Sequence, residues 1–192
     1  MCKHNYDSYC GLYCGACDIL VADKTGHKGQ FAHFWNKSVL RKFLNIQEIG
    51  YTEEDLEFKC NGCKSDEVFI NCRPCAMRNC AKMKGVEHCT ECSDYPCKTW
   101  LLLKKGEKVL KHLGDKQSNL KTIKEKGVDF WLAEQEKRWQ CPECGTNFAW
   151  YSTHCRNCGK KIGENAFKFT WVNALLFKMG FRYGSRDLNK KS

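Results

Sequence analysis

Apolar positions recur at helical spacing in blocks along this chain, and the blocks are separated by short turns rich in cysteine and glycine. Gln30 to Asn45 carries Phe31, Phe34, Trp35, Leu40, Phe43 and Leu44 with lysines and Arg41 between them, which predicts an amphipathic helix. Asp18 to Ala22 predicts a shorter one. Thr52 offers a cap, with Glu53, Glu54 and Asp55 in the first turn, for a short helix through about Phe58. Cys75 to Lys84 has helical composition and a stop at Gly85. Ser93 or Asp94 can cap the next helix, with Pro96 in its first turn and its body running through Trp100 to Lys105.

From Glu107 to Trp139 the apolar sets are Val109, Leu110 and Leu113, then Leu120 and Ile123, then Phe130, Trp131, Leu132 and Trp139. They predict two or three helices packed back on the preceding part, and the charges Glu134 to Arg138 form a solvated face. Phe148, Trp150 and Tyr151 fit a hairpin. Phe167 to Met179 suggests a short amphipathic helix in a basic tail, and residues 186–192 are expected to be disordered. The predicted fold class is mainly α. A cysteine-rich, metal-stabilised domain spans 1–105, a helical linker or extension 106–139, a small β zinc ribbon 140–163, and a basic amphipathic tail with a C-terminal helix 164–192.

Composition sharpens this picture. Sixteen of 192 residues are cysteine, a frequency at which a disulfide scaffold or a metal protein is the first expectation. Spacing separates the two. Chance would place roughly 1.3 Cys-x2-Cys pairs in a chain of this composition. There are six: 14/17, 60/63, 72/75, 89/92, 141/144 and 155/158. Two thiolates three residues apart on a tight turn converge on one ion, which a disulfide framework does not require. The first residues, Met1 to Asn5, form no apolar run, so reduced thiols and a cytoplasmic location are expected. No stretch approaches the roughly 18 apolar residues of a membrane span.

The formal charge of +10 invites a nucleic-acid reading. A zinc ion with four thiolates carries −2, so four such sites would leave about +2 and three about +4. The basic balance largely offsets metal sites and is weak evidence for a polyanionic partner.

The segment from Cys141 to Cys158 is the most specific signal. Cys141 and Cys144 precede Gly145, Cys155 and Cys158 precede Gly159, and ten residues lie between the pairs. This reads as a closed four-cysteine zinc site, with the glycines turning backbone N–H groups toward sulfur. The N-terminal set is Cys10, Cys14, Cys17, Cys60, Cys63, Cys72, Cys75, Cys80, Cys89, Cys92 and Cys97. Cys2 or His88 would bring it to twelve ligands for three sites; two full sites with three spare thiols is the other arrangement. His27 and His33 read as surface or core-edge residues. Zinc is the expected metal, several ions per chain. An iron–sulfur cluster is the rival in the N-terminal domain, although neither familiar ferredoxin spacing is matched. A redox dithiol would need a lone exposed pair, and a cysteine nucleophile a paired histidine; neither pattern is evident.

One group of motifs is recognisable: Tyr9-Cys10-Gly11-Leu12-Tyr13-Cys14-Gly15-Ala16-Cys17, Cys60-Asn61-Gly62-Cys63-Lys64-Ser65, Cys72-Arg73-Pro74-Cys75-Ala76-Met77-Arg78-Asn79-Cys80-Ala81, Lys84-Gly85-Val86, Cys89-Thr90-Glu91-Cys92 and Tyr95-Pro96-Cys97. In this order they resemble the DUF3795 family of small cysteine-rich prokaryotic proteins, over roughly residues 5 to 100. Residues 119–145 resemble the continuation in longer members, leading into a zinc ribbon. The resemblance implies that the cysteines are metal ligands and implies no reaction or substrate.

The sequence therefore reads as a non-enzymatic zinc-binding protein, a structural or interaction module for protein or nucleic acid. An iron–sulfur redox or electron-transfer protein is the alternative. Trp150, Tyr151, Arg156, Lys160 and Lys161 could meet nucleic acid, or the aromatics could fill the ribbon's own core. The tail could dock on the chain's own helices, on a partner, or on a membrane surface.

Overall fold

The computed structural model describes residues 6–35, 37, 39, 40, 52–163 and 165–176. Cys2, residues 36, 38 and 41–45 of the helix expected over Gln30 to Asn45, and the last part of the tail lie outside the described residues.

The main α-helices among the described residues are α1 (Asp18–Thr25), α2 (Gln30–Phe34), α3 (Ala76–Lys84), α4 (Lys98–Lys105), α5 (Lys116–Lys126) and α6 (Val128–Arg138). Short 3-10 turns link them, among them Cys14–Ala16, Ile70–Cys72 and Cys89–Glu91. Helix α1 begins directly behind Cys17 and buries Ile19, Leu20, Val21 and Ala22. Helix α3 ends at Gly85, where the Val86 N–H donates to the Ala81 carbonyl. Helices α5 and α6 pack on each other across Gly127.

Two expected starts are corrected. The segment after Thr52 makes only the 3-10 turn Glu54–Leu56. The Thr52 carbonyl accepts from the Asp55 N–H at 3.2 Å, but the Thr52 side chain accepts nothing from that turn: its hydroxyl and the Thr52 backbone N–H both donate to Asp55 Oδ2, at 3.0 and 2.8 Å. Helix α4 starts at Lys98 behind Cys97 rather than at Ser93 or Asp94, because the Asp94 carboxylate is engaged by Lys84.

The main core draws on the whole length of the described chain. Tyr13, Ile19, Phe31, Trp35, Phe69, Leu113, Trp131, Trp139, Trp150 and Tyr151 belong to one buried cluster. Phe167 and Phe169 pack against it, and the Phe167 N–H donates to the Trp150 carbonyl at 2.7 Å. The start of the tail is therefore docked on its own chain. A smaller cluster of Cys10, Met77, Trp100 and Leu120 joins α3, α4 and α5 beside the N-terminal cysteines.

Gly11 fixes the seam between the cysteine-bearing N-terminus and α5. Its φ is +87°, and a Cβ there would lie 2.7 Å from both Leu120 Cγ and the Lys116 carbonyl oxygen. The Gly11 carbonyl accepts from Asn119 Nδ2 at 2.8 Å, Asn119 Oδ1 accepts from Gln135 Nε2, and Gln135 Oε1 accepts from Trp139 Nε1. This buried chain of amides couples the first cysteine loop to α5 and α6.

The small β ribbon expected at 140–163 does not form as strands. Among the described residues there is no strand, only isolated antiparallel bridges, Gln140 with Asn147 and His154 with Lys161 in this segment. Each bridge closes one short cysteine turn. Between them the backbone makes one turn, the Ser152 N–H donating to the Ala149 carbonyl at 3.0 Å, and faces inward: the Trp150 N–H donates to the Ala16 carbonyl at 2.8 Å, and Phe148, Trp150 and Tyr151 are buried. The predicted C-terminal helix is present over residues 171–176.

Candidate metal centre

The four C-terminal cysteines converge. The sulfurs of Cys141, Cys144, Cys155 and Cys158 all lie within 4.8 Å of one another, a group that could hold a metal ion. Cys141 Sγ is 3.6 Å from Cys158 Sγ, and Cys144 Sγ is 3.6 Å from Cys155 Sγ. Two equivalent turns produce this. The Gly145 N–H donates to the Cys141 carbonyl and the Gly159 N–H to the Cys155 carbonyl, at 2.8 and 3.1 Å. Both glycines sit at positive φ, +69° and +72°, where a side chain would be strained.

The surroundings favour thiolate at Cys144 and Cys155, whereas at Cys158 the Lys160 backbone hydrogen bond is outweighed by burial and the neighbouring sulfurs, which push the thiol up to about 12. The Thr146 hydroxyl is 3.3 Å from Cys144 Sγ, and together with the Thr146 backbone N–H it holds the Cys144 thiol down to about 6. The Asn157 N–H donates to Cys155 Sγ at 3.4 Å. Hydrogen bonds to sulfur stabilise its charged form, which is the form that binds metal.

The N-terminal thiols gather less tightly. All fifteen described cysteines are free. Burial, then the neighbouring thiols of Cys63, Cys17 and Cys60, push the Cys14 thiol well up. Burial and then Cys60 push Cys17 up to about 12. Cys72 is an exposed residue whose enclosed sulfur is nonetheless raised, by burial and then by Cys17, Cys60, Cys63 and Cys75. A second gathering surrounds Cys89, which burial and its neighbours Cys10, Cys97, Cys80 and Cys92 push up to about 12. Cys63 stands between the gatherings, raised to about 12 by burial and then by Cys10. Without metal, burial and mutual repulsion keep these thiols protonated; a bound cation would remove both penalties.

The His88 ring nitrogens face carboxylates. Nε2 is 2.8 Å from Asp7 Oδ2 and Nδ1 is 3.4 Å from Glu91 Oε1. The imidazole is buried rather than an exposed loop side chain, and it is directed at acids rather than at the thiols.

Several supporting residues escape sequence reasoning. Lys64 Nζ bridges Asp7 Oδ2 at 2.6 Å and Glu87 Oε2 at 2.8 Å. Burial raises the Asp7 carboxyl, but the donors His88 and Lys64 outweigh it and hold the group below its ordinary value. Arg78 is buried on α3, with Nε donating to the Cys63 carbonyl and Nη2 to the Ser65 carbonyl, both at 2.9 Å. It clamps the loop carrying Cys60 and Cys63 onto α3. The available signal was an arginine amid the apolar positions of a short helix, which periodicity alone cannot tell from a solvated one.

The class defined by these features is a mainly helical, cysteine-rich protein with a cysteine cluster able to bind metal. The family model described as protein of unknown function (DUF3795) matches residues 6–101, and the chain belongs to that family. No curated protein matches the chain, and no solved structure does. No helix among the described residues is long and apolar enough to cross a membrane.

Proposed function

We propose that Cys141, Cys144, Cys155 and Cys158 hold one structural zinc ion as a ribbon-like site, and that the protein is a metal-stabilised scaffold presenting a surface to a protein partner. The observation carrying this reading is the convergence of four sulfurs within 4.8 Å. A tetrahedral zinc bonded at about 2.3 Å to each sulfur sets sulfur–sulfur edges of about 3.8 Å, close to the two 3.6 Å separations found. Four protein ligands close the coordination sphere and leave no position for substrate. In the same reading the eleven cysteines from Cys10 to Cys97 are metal ligands too.

The partner half rests on exposure. Trp150 and Tyr151 are core residues, so they offer no face for stacking bases. Lys160 pairs with Glu143, and Arg156 donates to the Asn147 carbonyl. Large apolar side chains are exposed at Met83, Leu101, Leu102 and Phe130, and four more gather further on, at Trp171, Val172, Leu175 and Leu176, on a segment tied to the fold by Asn173 Nδ2 donating to the Val109 carbonyl at 3.0 Å. Large exposed apolar groups gathered on one segment mark interaction surfaces.

Metal analysis of the full chain tests the first half. Cys144→Ser should lose one zinc per chain relative to the parent; an unchanged zinc content would refute the assignment. For the second half, a gel shift with mixed DNA and RNA at moderate salt should show no complex. Tight nucleic-acid binding unaffected by Trp171→Glu would replace the protein-partner reading.

A further inference from the structure

Helix α3, the turn Cys89–Glu91 and the start of α4 meet around a cavity of about 30 Å³ whose wall includes Cys80, Cys89, Cys92 and Cys97. A single water needs about 10–15 Å³ on this measure, so the space exceeds one water. The rest of the wall includes Met77, Val86 and Trp100. These thiols are arranged unlike the C-terminal quartet. There all four sulfurs lie within 4.8 Å of one another; among the described residues no three N-terminal thiols do. One tetrahedral ion would draw its ligands to edges of about 3.8 Å. Thiols spread around an open space suit a core with several metal atoms and bridging sulfides of its own.

Charge supplies an independent observation. The Lys116 side chain is 1% exposed, and its ammonium has no hydrogen-bond partner. It lies 5.0 Å over the Trp100 ring, whose indole N–H is itself buried without an acceptor. Buried donors left without acceptors are costly. A second cation, Lys84, which pairs with Asp94, also places Nζ 3.3 Å from Cys92 Sγ. Cations and orphaned N–H donors beside a sulfur-lined apolar cavity fit an anionic occupant rich in sulfur.

We propose that Cys80, Cys89, Cys92 and Cys97 ligate an iron–sulfur cluster in this cavity, separate from the C-terminal zinc. Lys84 hydrogen-bonds a ligand sulfur, and Lys116 offsets the cluster's negative charge from behind Trp100. Hydrogen bonds and positive charge near the sulfurs favour the more negative, reduced state and raise the potential.

The test uses the full chain, purified anaerobically and reconstituted with ferric iron, sulfide and excess dithiothreitol, the thiol reducing part of the iron so that a mixed-valence core can form. The expected product contains iron and acid-labile sulfide in comparable amounts and has a broad visible absorption that bleaches on reduction. Cys92→Ser and Cys97→Ser lose that absorption; Cys144→Ser keeps it, whatever happens to its zinc. Lys84→Met retains iron and sulfide and shifts the midpoint potential to more negative values. If the serine variants do not fold, iron-edge X-ray absorption on the parent protein decides, because a cluster shows iron–iron scattering. A parent that takes up no iron, iron without sulfide, absorption retained in both serine variants, or an unshifted potential in Lys84→Met overturns the proposal.

Discussion

His112 stacks on Trp150 with ring centroids 4.1 Å apart and planes inclined by 8°, and its Nδ1 is 2.8 Å from the Tyr151 hydroxyl. Burial, and then the nearby Lys116 charge, holds the imidazole down to about 3. The unfolded chain binds a proton below about 6.5, whereas the folded chain does not until far lower pH. The resulting stability is complete above 6.5 and is lost as pH falls toward 3. In metal-loaded protein, His112→Phe should remove about 2 kcal/mol of the stability change between pH 6.5 and 5. Urea titrations of parent and variant at both pH values check this, and equal pH slopes would show that the histidine is not held neutral. Gly11 makes a second residue-scale case. Gly11→Ala combines an unfavourable positive φ with a clash against the Lys116 carbonyl, which cannot rotate away. The expected cost is about 2–4 kcal/mol, read from the urea midpoint. The sequence showed a glycine beside cysteines, but only the fold reveals that α5 presses on it.

At the scale of elements, helices with strong apolar repeats were legible. Helices α1, α3, α5 and α6 lie where periodicity and the glycine stops place them. The misjudged starts have a common cause: competing side-chain contacts. Asp55 takes donors from Thr52 and leaves only a 3-10 turn, and Asp94 is drawn to Lys84. The expected hairpin at Phe148 to Tyr151 was lost for a related reason, since the Trp150 N–H bonds to Ala16 rather than across a pair of strands. The spacing of Cys141, Cys144, Cys155 and Cys158 disclosed their convergence, because two identical turns fix it locally. The N-terminal gathering depends on distant segments meeting, which spacing does not encode. Arg78 shows how such segments are held. Arg78→Met would strip donors from two carbonyls at once, with an expected cost of about 2–4 kcal/mol. Hydrogen exchange should quicken over residues 60–67, while exchange within α6 should change little.

At the scale of the molecule, the main core contains residues from near both ends of the described chain, Tyr13 and Ile162 among them. A small independent metal knuckle would melt apart from the rest. Here Trp150 and Tyr151, which lie between the two cysteine pairs, are also part of the core that holds α1 and α2. Loss of metal at Cys155→Ser should therefore lower the midpoint of a single thermal transition rather than release a separate early one. Calorimetry distinguishes these outcomes, and two resolved transitions would show that the units unfold independently. The placement of tryptophan has a spectroscopic consequence. Trp35, Trp100, Trp131, Trp139 and Trp150 are at most 6% exposed, whereas Trp171 is 77% exposed. The native emission is thus the sum of a shielded majority and one ring in water. A polar quencher such as iodide reaches the second population first, so its selective protection gives a direct optical signal when another molecule covers the C-terminal segment. Trp100, on the wall of the sulfur-lined cavity, is placed to dim when a light-absorbing group enters. Of the six tryptophans, Trp171 and Trp100 thereby report on different events without any label.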